Sequence, residues 1–211
     1  MYETIKAMTF LDRGILLLTG FIAIYMLFIL FKKQKEKAET ENIFFIISFA
    51  VLLVSGLILI FTNWDSLLSP FVAVVAGLIP FGLALGLIKK FYPKFFKLYL
   101  VVLTIGLIMI AVTKFGNVLC QGSIALPVFH AIAGLTIFFV PICAVKSGKA
   151  KPAYINVTIG GTLIGLGGIA LAFIKNGGQL LFFSPLIVLT ILAPLLFLTA
   201  LFFALGLTKG E

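Results

Sequence analysis

Charge is what this sequence has least of. Only 11% of its 211 residues are Asp, Glu, Lys or Arg, against about a quarter in a soluble domain. Seven of these are acidic: Glu3, Asp12, Glu36, Glu39, Glu41, Asp65 and Glu211. All seven fall in expected tails, loops or span ends. A carboxylate in mid-membrane is costly and usually functional. Its lack argues against ion coupling through a carboxylate relay, and against an intramembrane aspartyl protease. One arginine, Arg13, stands against fifteen lysines, which leaves little scope for bidentate recognition of phosphate or carboxylate. One histidine, His130, and two cysteines, Cys120 and Cys143, cannot build a zinc site alone. Cys120 and Cys143 are expected near opposite ends of one helix, roughly 34 Å apart, too far for a disulfide. No nucleophile elbow or paired carboxylate occurs, so no enzyme activity is expected. No cleavable signal is expected either, since the first apolar run is as long as a full span.

Apolar residues make up 62% of the chain and come in long unbroken runs. Each run is close to the roughly twenty residues that cross a 30 Å hydrocarbon core. Seven spans are expected, at about Phe10–Phe31, Ile43–Phe61, Phe71–Ile88, Phe95–Val112, Gly122–Val145, Tyr154–Ile174 and Pro185–Leu207. The runs are continuous rather than alternating, so they are helices and not barrel strands. The fold class is an all-α membrane protein, a single seven-helix domain over 1–211, in contact with the lipid bilayer.

The net charge of +9 does not indicate nucleic acid, because the lysines lie in short loops between spans. Twelve basic residues fall on one side: Lys32, Lys33, Lys35 and Lys37, then Lys89, Lys90, Lys94 and Lys97, then Lys146, Lys149 and Lys151, then Lys209. Four fall on the other: Lys6, Arg13, Lys114 and Lys175. The twelve-charge side is expected in the cytoplasm, with the N-terminus outside and the C-terminus inside the cell membrane. Trp64, Tyr92, Tyr99 and Tyr154 are expected as headgroup anchors at span boundaries. The bias to Lys, Ile and Phe over Arg suggests an AT-rich prokaryotic genome.

The first and last three spans resemble each other. Phe21–Lys33 aligns with Leu135–Ser147, and Ser55–Phe61 with Gly167–Phe173. The third element opens with Ser69-Pro70 in one case and Ser184-Pro185 in the other. Pro80 and Pro194 follow about three turns later, and the elements close with Ala84-Leu85-Gly86-Leu87 and Ala204-Leu205-Gly206-Leu207. Two units, about 10–90 and 122–208, would be joined by a linker helix at about 95–112. An odd number of spans per unit makes the two units parallel, a transporter plan with substrate at the unit interface. This 3+1+3 plan resembles that of the SWEET sugar facilitators and of microbial rhodopsins. The resemblance is architectural. The chain has no Pro-Gln dipeptide and no lysine in its seventh span for a retinal Schiff base.

His130 leads the candidate sites. It is expected about two turns into the fifth span, where it could contact substrate, sense protons or ligate haem. Pro80 and Pro194 could shape a cavity by kinking their helices. Asn117 and Gln121 mark the most polar outer stretch, a candidate entrance above His130. Gly82 with Gly86, and Gly161 with Gly165, are small-xxx-small pairs for close helix packing. The sequon Asn156-Val157-Thr158 falls at the cytoplasmic face and is not expected to be modified.

Two functions fit. One is a facilitator or binding protein for a small, weakly polar or lipid-like solute, with no cofactor. The other is a non-catalytic subunit of a larger complex, contributing His130 to a haem, quinone or lipid site. The partners would then be further membrane subunits, or copies of the same chain.

Overall fold

The computed structural model describes residues 7–116, 122–175 and 184–210. Among these residues there are seven long helices and no strand. They are α1 (Phe10–Glu36), α2 (Thr40–Thr62), α3 (Pro70–Phe91), α4 (Phe96–Phe115), α5 (Gly122–Lys146), α6 (Ile155–Lys175) and α7 (Pro185–Lys209). All seven are long and apolar enough to cross a bilayer. This makes the chain a multi-pass, all-helical membrane protein, as the run lengths require.

The ends of the helices follow local chemistry. α1 opens on a capping box, in which Thr9 and Asp12 satisfy each other's backbone N–H groups. α3 and α7 open on Pro70 and Pro185, whose fixed φ suits a first helical turn. α3 stops at Tyr92, just before Pro93. α1 runs beyond the apolar stretch into the basic segment, where Lys32 and Glu36 pair at 3.9 Å on an exposed face. Such a pair contributes little to stability.

The helices pack in a closed order: α1 on α2, α2 on α3, α3 on α5, α5 on α6, α6 on α7 and α7 back on α1. α4 stands outside this ring, against α3 and α5. Only 17% of its span is buried, compared with 50% for α3, which marks α4 as peripheral and α3 as central. Phe45, Phe49, Met26, Leu83, Leu87 and Ile137 are almost fully buried and belong to one continuous core.

Glycines set how closely the helices approach. A Cβ on Gly82 would lie 2.7 Å from the Phe44 carbonyl oxygen of α2. Beside it the Ser48 hydroxyl shares its proton between the Phe44 carbonyl of its own helix and the Ile79 carbonyl of α3, each at 3.0 Å. One turn on, Gly86 lies against the Phe45 ring. Between α6 and α7, a Cβ on Gly160 would lie 3.1 Å from the Thr199 carbonyl oxygen, and one on Gly206 2.8 Å from the Val157 nitrogen. Gly82 and Gly86 thus both serve as packing glycines. In α6 the expected pair divides. Gly161 is pressed against Ile137, with a Cβ clearance of 2.6 Å, whereas Gly165 faces nothing within 4 Å.

Candidate functional site

His130 lies where α3 meets α5. Its Nδ1 is 3.1 Å from the Leu126 carbonyl oxygen one turn earlier. A carbonyl only accepts, so Nδ1 carries a proton in this contact. The ring faces α3, where the Phe81 centroid lies 6.0 Å away. Gly77, one turn before Phe81, gives it room: even a Cβ there would stand 3.6 Å from His130 Cε1. The contact needs a small residue at 77 and an aromatic at 81, four apart on one face of α3.

Pro80 lies inside α3, between Gly77 and Phe81 in sequence. It cannot donate a hydrogen bond to the Ala76 carbonyl, which leaves an acceptor near Gly77. Pro194 lies inside α7, on a helix that packs against α1 and α6. Pro80 thus shares a helix with the residues that face His130, Gly77 and Phe81, whereas Pro194 lies on a helix that packs elsewhere. Asn117 and Gln121 lie outside the described residues, as does Cys120, so an entrance above His130 has no described geometry. Cys143 is a free, exposed thiol.

The polar residues of the membrane interior are satisfied mainly within and between helices. Tyr99 of α4 contacts the Thr136 hydroxyl at 2.7 Å and so ties the outer helix to α5. The Thr158 hydroxyl donates to the Phe138 carbonyl at 2.9 Å, linking α6 to α5. Thr158 is buried, and Asn156 donates to the Ala153 carbonyl, so the sequon is engaged in packing. Among the described residues, no group of three His, Cys, Asp or Glu side chains could hold a metal ion.

Four residues have roles that the chain alone does not reveal. Arg13 and Asp12 are adjacent in sequence but serve different partners. The Asp12 carboxylate accepts from the Thr9 hydroxyl at 2.7 Å. Arg13 donates from Nη1 to the Ile60 carbonyl and from Nη2 to Asn63 Oδ1, both at 2.6 Å. It thereby clamps the end of α2, where Asn63 adopts a φ of 59°. Trp64, expected among lipid headgroups, is 1% exposed and packs in a cluster with Met8, Leu16, Leu59 and Leu192. It is a plug between α1, α2 and α7. Tyr154 is likewise fully buried, edge-on to Phe91 at 5.2 Å. The sign missed in both cases is a large ring at a helix junction, which can fill space as readily as it can anchor to lipid.

The charged groups at the lysine-rich end divide into two sets. Around the α1–α2 turn, Lys32 pairs with Glu36, and Lys37 with Glu39. The hydrogen bond and charge of Glu39 push the Lys37 pKa up. Near the ends of α3 and α5, lysines lie over aromatic rings. Lys89 lies 5.1 Å from the Phe96 centroid, Lys90 5.8 Å from Tyr154 and Lys149 5.2 Å from Tyr92. Comparison with protein-family models, curated proteins and solved structures finds no match to this chain.

Proposed function

We propose that this is a non-enzymatic facilitator of the cell membrane. It passes or binds a small, weakly polar or lipid-like solute between two parallel three-helix units, α1–α3 and α5–α7. The lysine-rich end faces the cytoplasm and α4 joins the units. One observation carries this reading: two interhelical contacts recur at aligned positions. Aligning Ser55–Phe61 with Gly167–Phe173 sets Phe45 opposite Val157 and Ser48 opposite Gly160. Aligning the two Ala-Leu-Gly-Leu tetrapeptides sets Gly86 opposite Gly206 and Ile79 opposite Thr199. Gly86 meets Phe45 as Gly206 meets Val157, and Ser48 meets the Ile79 carbonyl as Gly160 meets that of Thr199. Chance similarity of apolar sequence does not call for matched contacts.

In transporters built from such repeats, the solute sits between the units. The candidate path here is the α3–α5 seam, with His130 as its polar contact and Gly77 and Phe81 opposite. A bare ion would find too few polar groups along it to offset the loss of its water. A weakly polar molecule needs only one or two.

Reconstitution tests this. Liposomes carrying the protein should admit small polyols faster than protein-free liposomes, or should exchange fluorescent lipid between leaflets. His130→Leu should slow that rate without unfolding the protein. A panel of such solutes crossing no faster than through bare lipid would sink the proposal.

The second reading, a non-catalytic subunit using His130 in a haem, quinone or lipid site, draws on the tight apolar packing of the ring interior. Mild-detergent extraction separates the two. Co-purifying subunits, or a Soret band lost in His130→Ala, would favour the subunit.

A further inference from the structure

The exposed side of α1 is aromatic along most of its length. Phe10, Phe21, Tyr25 and Phe28 fall on one face of the helix, with Gly14 among them and Lys32 at the lysine-rich end. The four rings are 93, 65, 57 and 71% exposed, while the other side of α1 packs on α2 and α7. Exposure on a span means lipid, and phenylalanine suits lipid. Tyr25 does not.

Depth is the difficulty. Along the helix Tyr25 lies about 10 Å short of Lys32 and about 18 Å past Arg13, well inside a hydrocarbon core of about 30 Å. Helical side chains lean toward the start of their helix, so this ring leans toward mid-membrane and away from the lysine-rich end. Its hydroxyl has no hydrogen-bond partner among the described residues. An exposed threonine can turn its hydroxyl onto the carbonyl one turn earlier, as Thr62 and Thr113 do at 2.7 and 2.8 Å. A rigid phenol cannot fold back in that way. Tyr99, by contrast, reaches the Thr136 hydroxyl at 2.7 Å. An unpaired hydroxyl in hydrocarbon is costly, and a hydrogen bond to a neighbouring helix removes that cost.

We infer that α1 pairs with α1 of a second copy of this chain, Tyr25 against Tyr25. Copies in one membrane share an orientation, so a two-fold axis along the membrane normal sets each residue of this face opposite itself at equal depth. A hydroxyl both donates and accepts, which makes Tyr25 its own complement. The charged end is self-complementary too. Lys32 and Glu36 stand side by side, 68 and 64% exposed, so a second copy brings a carboxylate as well as an ammonium to the contact. At roughly 200 Å² per aromatic side chain, the four rings expose about 600 Å². Two such faces clear the ~1,000 Å² of a specific interface. Gly14 has nothing within 4 Å of its Cβ position, which leaves room for close approach near the other end. In the ring of helices α1 stands across from α5, so the pairing leaves the His130 seam uncovered and does not depend on the facilitator reading.

The test uses the full-length protein in phosphatidylcholine vesicles, with Cys120 and Cys143 replaced by serine. Under copper phenanthroline, Phe21→Cys and Phe28→Cys should each give a disulfide-linked dimer. Ile105→Cys, 50% exposed on α4, should not. Energy transfer between labelled copies, followed as lipid is added, reads the dissociation constant. Tyr25→Phe should weaken pairing about 3- to 30-fold, the range of one interhelical hydrogen bond. The same variant, diluted to monomer, should melt no lower than wild type, which separates pairing from folding. No energy transfer at any protein-to-lipid ratio would overturn the inference. So would a dimer indifferent to Tyr25→Phe, or one that crosslinks through α4 alone. A monomer that co-purifies with a different membrane protein would give the face to that chain and overturn the self-pairing.

Discussion

Replacing Gly82 by alanine tests the α2–α3 approach directly. The new Cβ would stand 2.7 Å from the Phe44 carbonyl oxygen, where ordinary contact begins at 3.4 Å, and would overlap the Ser48 hydroxyl. Backbone cannot swing aside as a side-chain end can, so α2 and α3 must part by about 0.7 Å, which forfeits roughly a quarter to a half of the dispersion attraction between the atoms it separates. Overpacking of this kind costs about 1–3 kcal/mol. Losing the Ser48 bond to Ile79 adds about 0.5–1.5 kcal/mol. The better helix propensity of alanine returns up to about 1 kcal/mol. The net expectation is a loss of about 0.5–4 kcal/mol. Gly165→Ala is the matched control, because nothing lies within 4 Å of its Cβ position. There only the propensity gain operates, and stability should hold or rise by up to about 1 kcal/mol. Reversible unfolding in mixed micelles, followed by helical circular dichroism, reads both variants. If the two agree within about 0.5 kcal/mol, the scale of ordinary surface changes, the close approach of α2 and α3 is wrong.

Trp64 is the chain's one tryptophan, so its fluorescence reports its own burial, and the emission should be blue-shifted. Trp64→Ala should cost about 3–5 kcal/mol as a core truncation. Trp64→Phe should cost less than Trp64→Ala, because among the described residues the indole N–H has no hydrogen-bond partner to lose; equal losses would mean the ring is not packed as described. Arg13→Ala should cost about 1.5–3 kcal/mol by freeing the end of α2. Arg13→Lys should recover little of this in the same melt, because one ammonium cannot reproduce the fork to Ile60 and Asn63, and full rescue would contradict the clamp. In a cysteine-free background, an impermeant maleimide added to intact cells should label Ser66→Cys and leave Lys149→Cys untouched. The reverse pattern would invert the orientation that the lysine count implies.

Span positions were legible because hydrocarbon thickness demands an unbroken apolar run of fixed length. Every expected span agrees with a helix to within a few residues, apart from α1, which runs on into its charged turn. Neighbour order was not legible. In water a helix shows which face it buries by where it is apolar, but lipid is as apolar as a protein core. Phe28 is 71% exposed and Phe49 2% exposed, and no difference in residue type separates them. Glycine carried partial information. It marked Gly82, Gly86 and Gly161 as packing sites, yet it marked Gly165 equally and wrongly. His130 could be identified as the chain's one histidine, but its facing residues on α3 depended on a packing register that the sequence does not contain.

The contact register also decides between two ways of pairing α3 with α7. Pairing them by proline sets Pro80 against Pro194. Pairing them by tetrapeptide does not, since Pro80 precedes its tetrapeptide by four residues and Pro194 by ten. That places the two kinks about 9 Å apart along their helices. The matched contacts follow the tetrapeptides, so under the proposed repeat the lysine-rich halves of the units would correspond and the opposite halves diverge. The seams diverge in the same place. Aligning Phe21–Lys33 with Leu135–Ser147 sets Leu16 opposite His130. Leu16 is 1% exposed and sits in the Trp64 cluster with Leu192. One seam, α7 with α1, is therefore closed by leucines and an indole. The other, α3 with α5, carries an imidazole, a glycine and a proline. If the proposed facilitator is built from two similar units, it needs only one path between them, and the residues that break the similarity favour the side of His130.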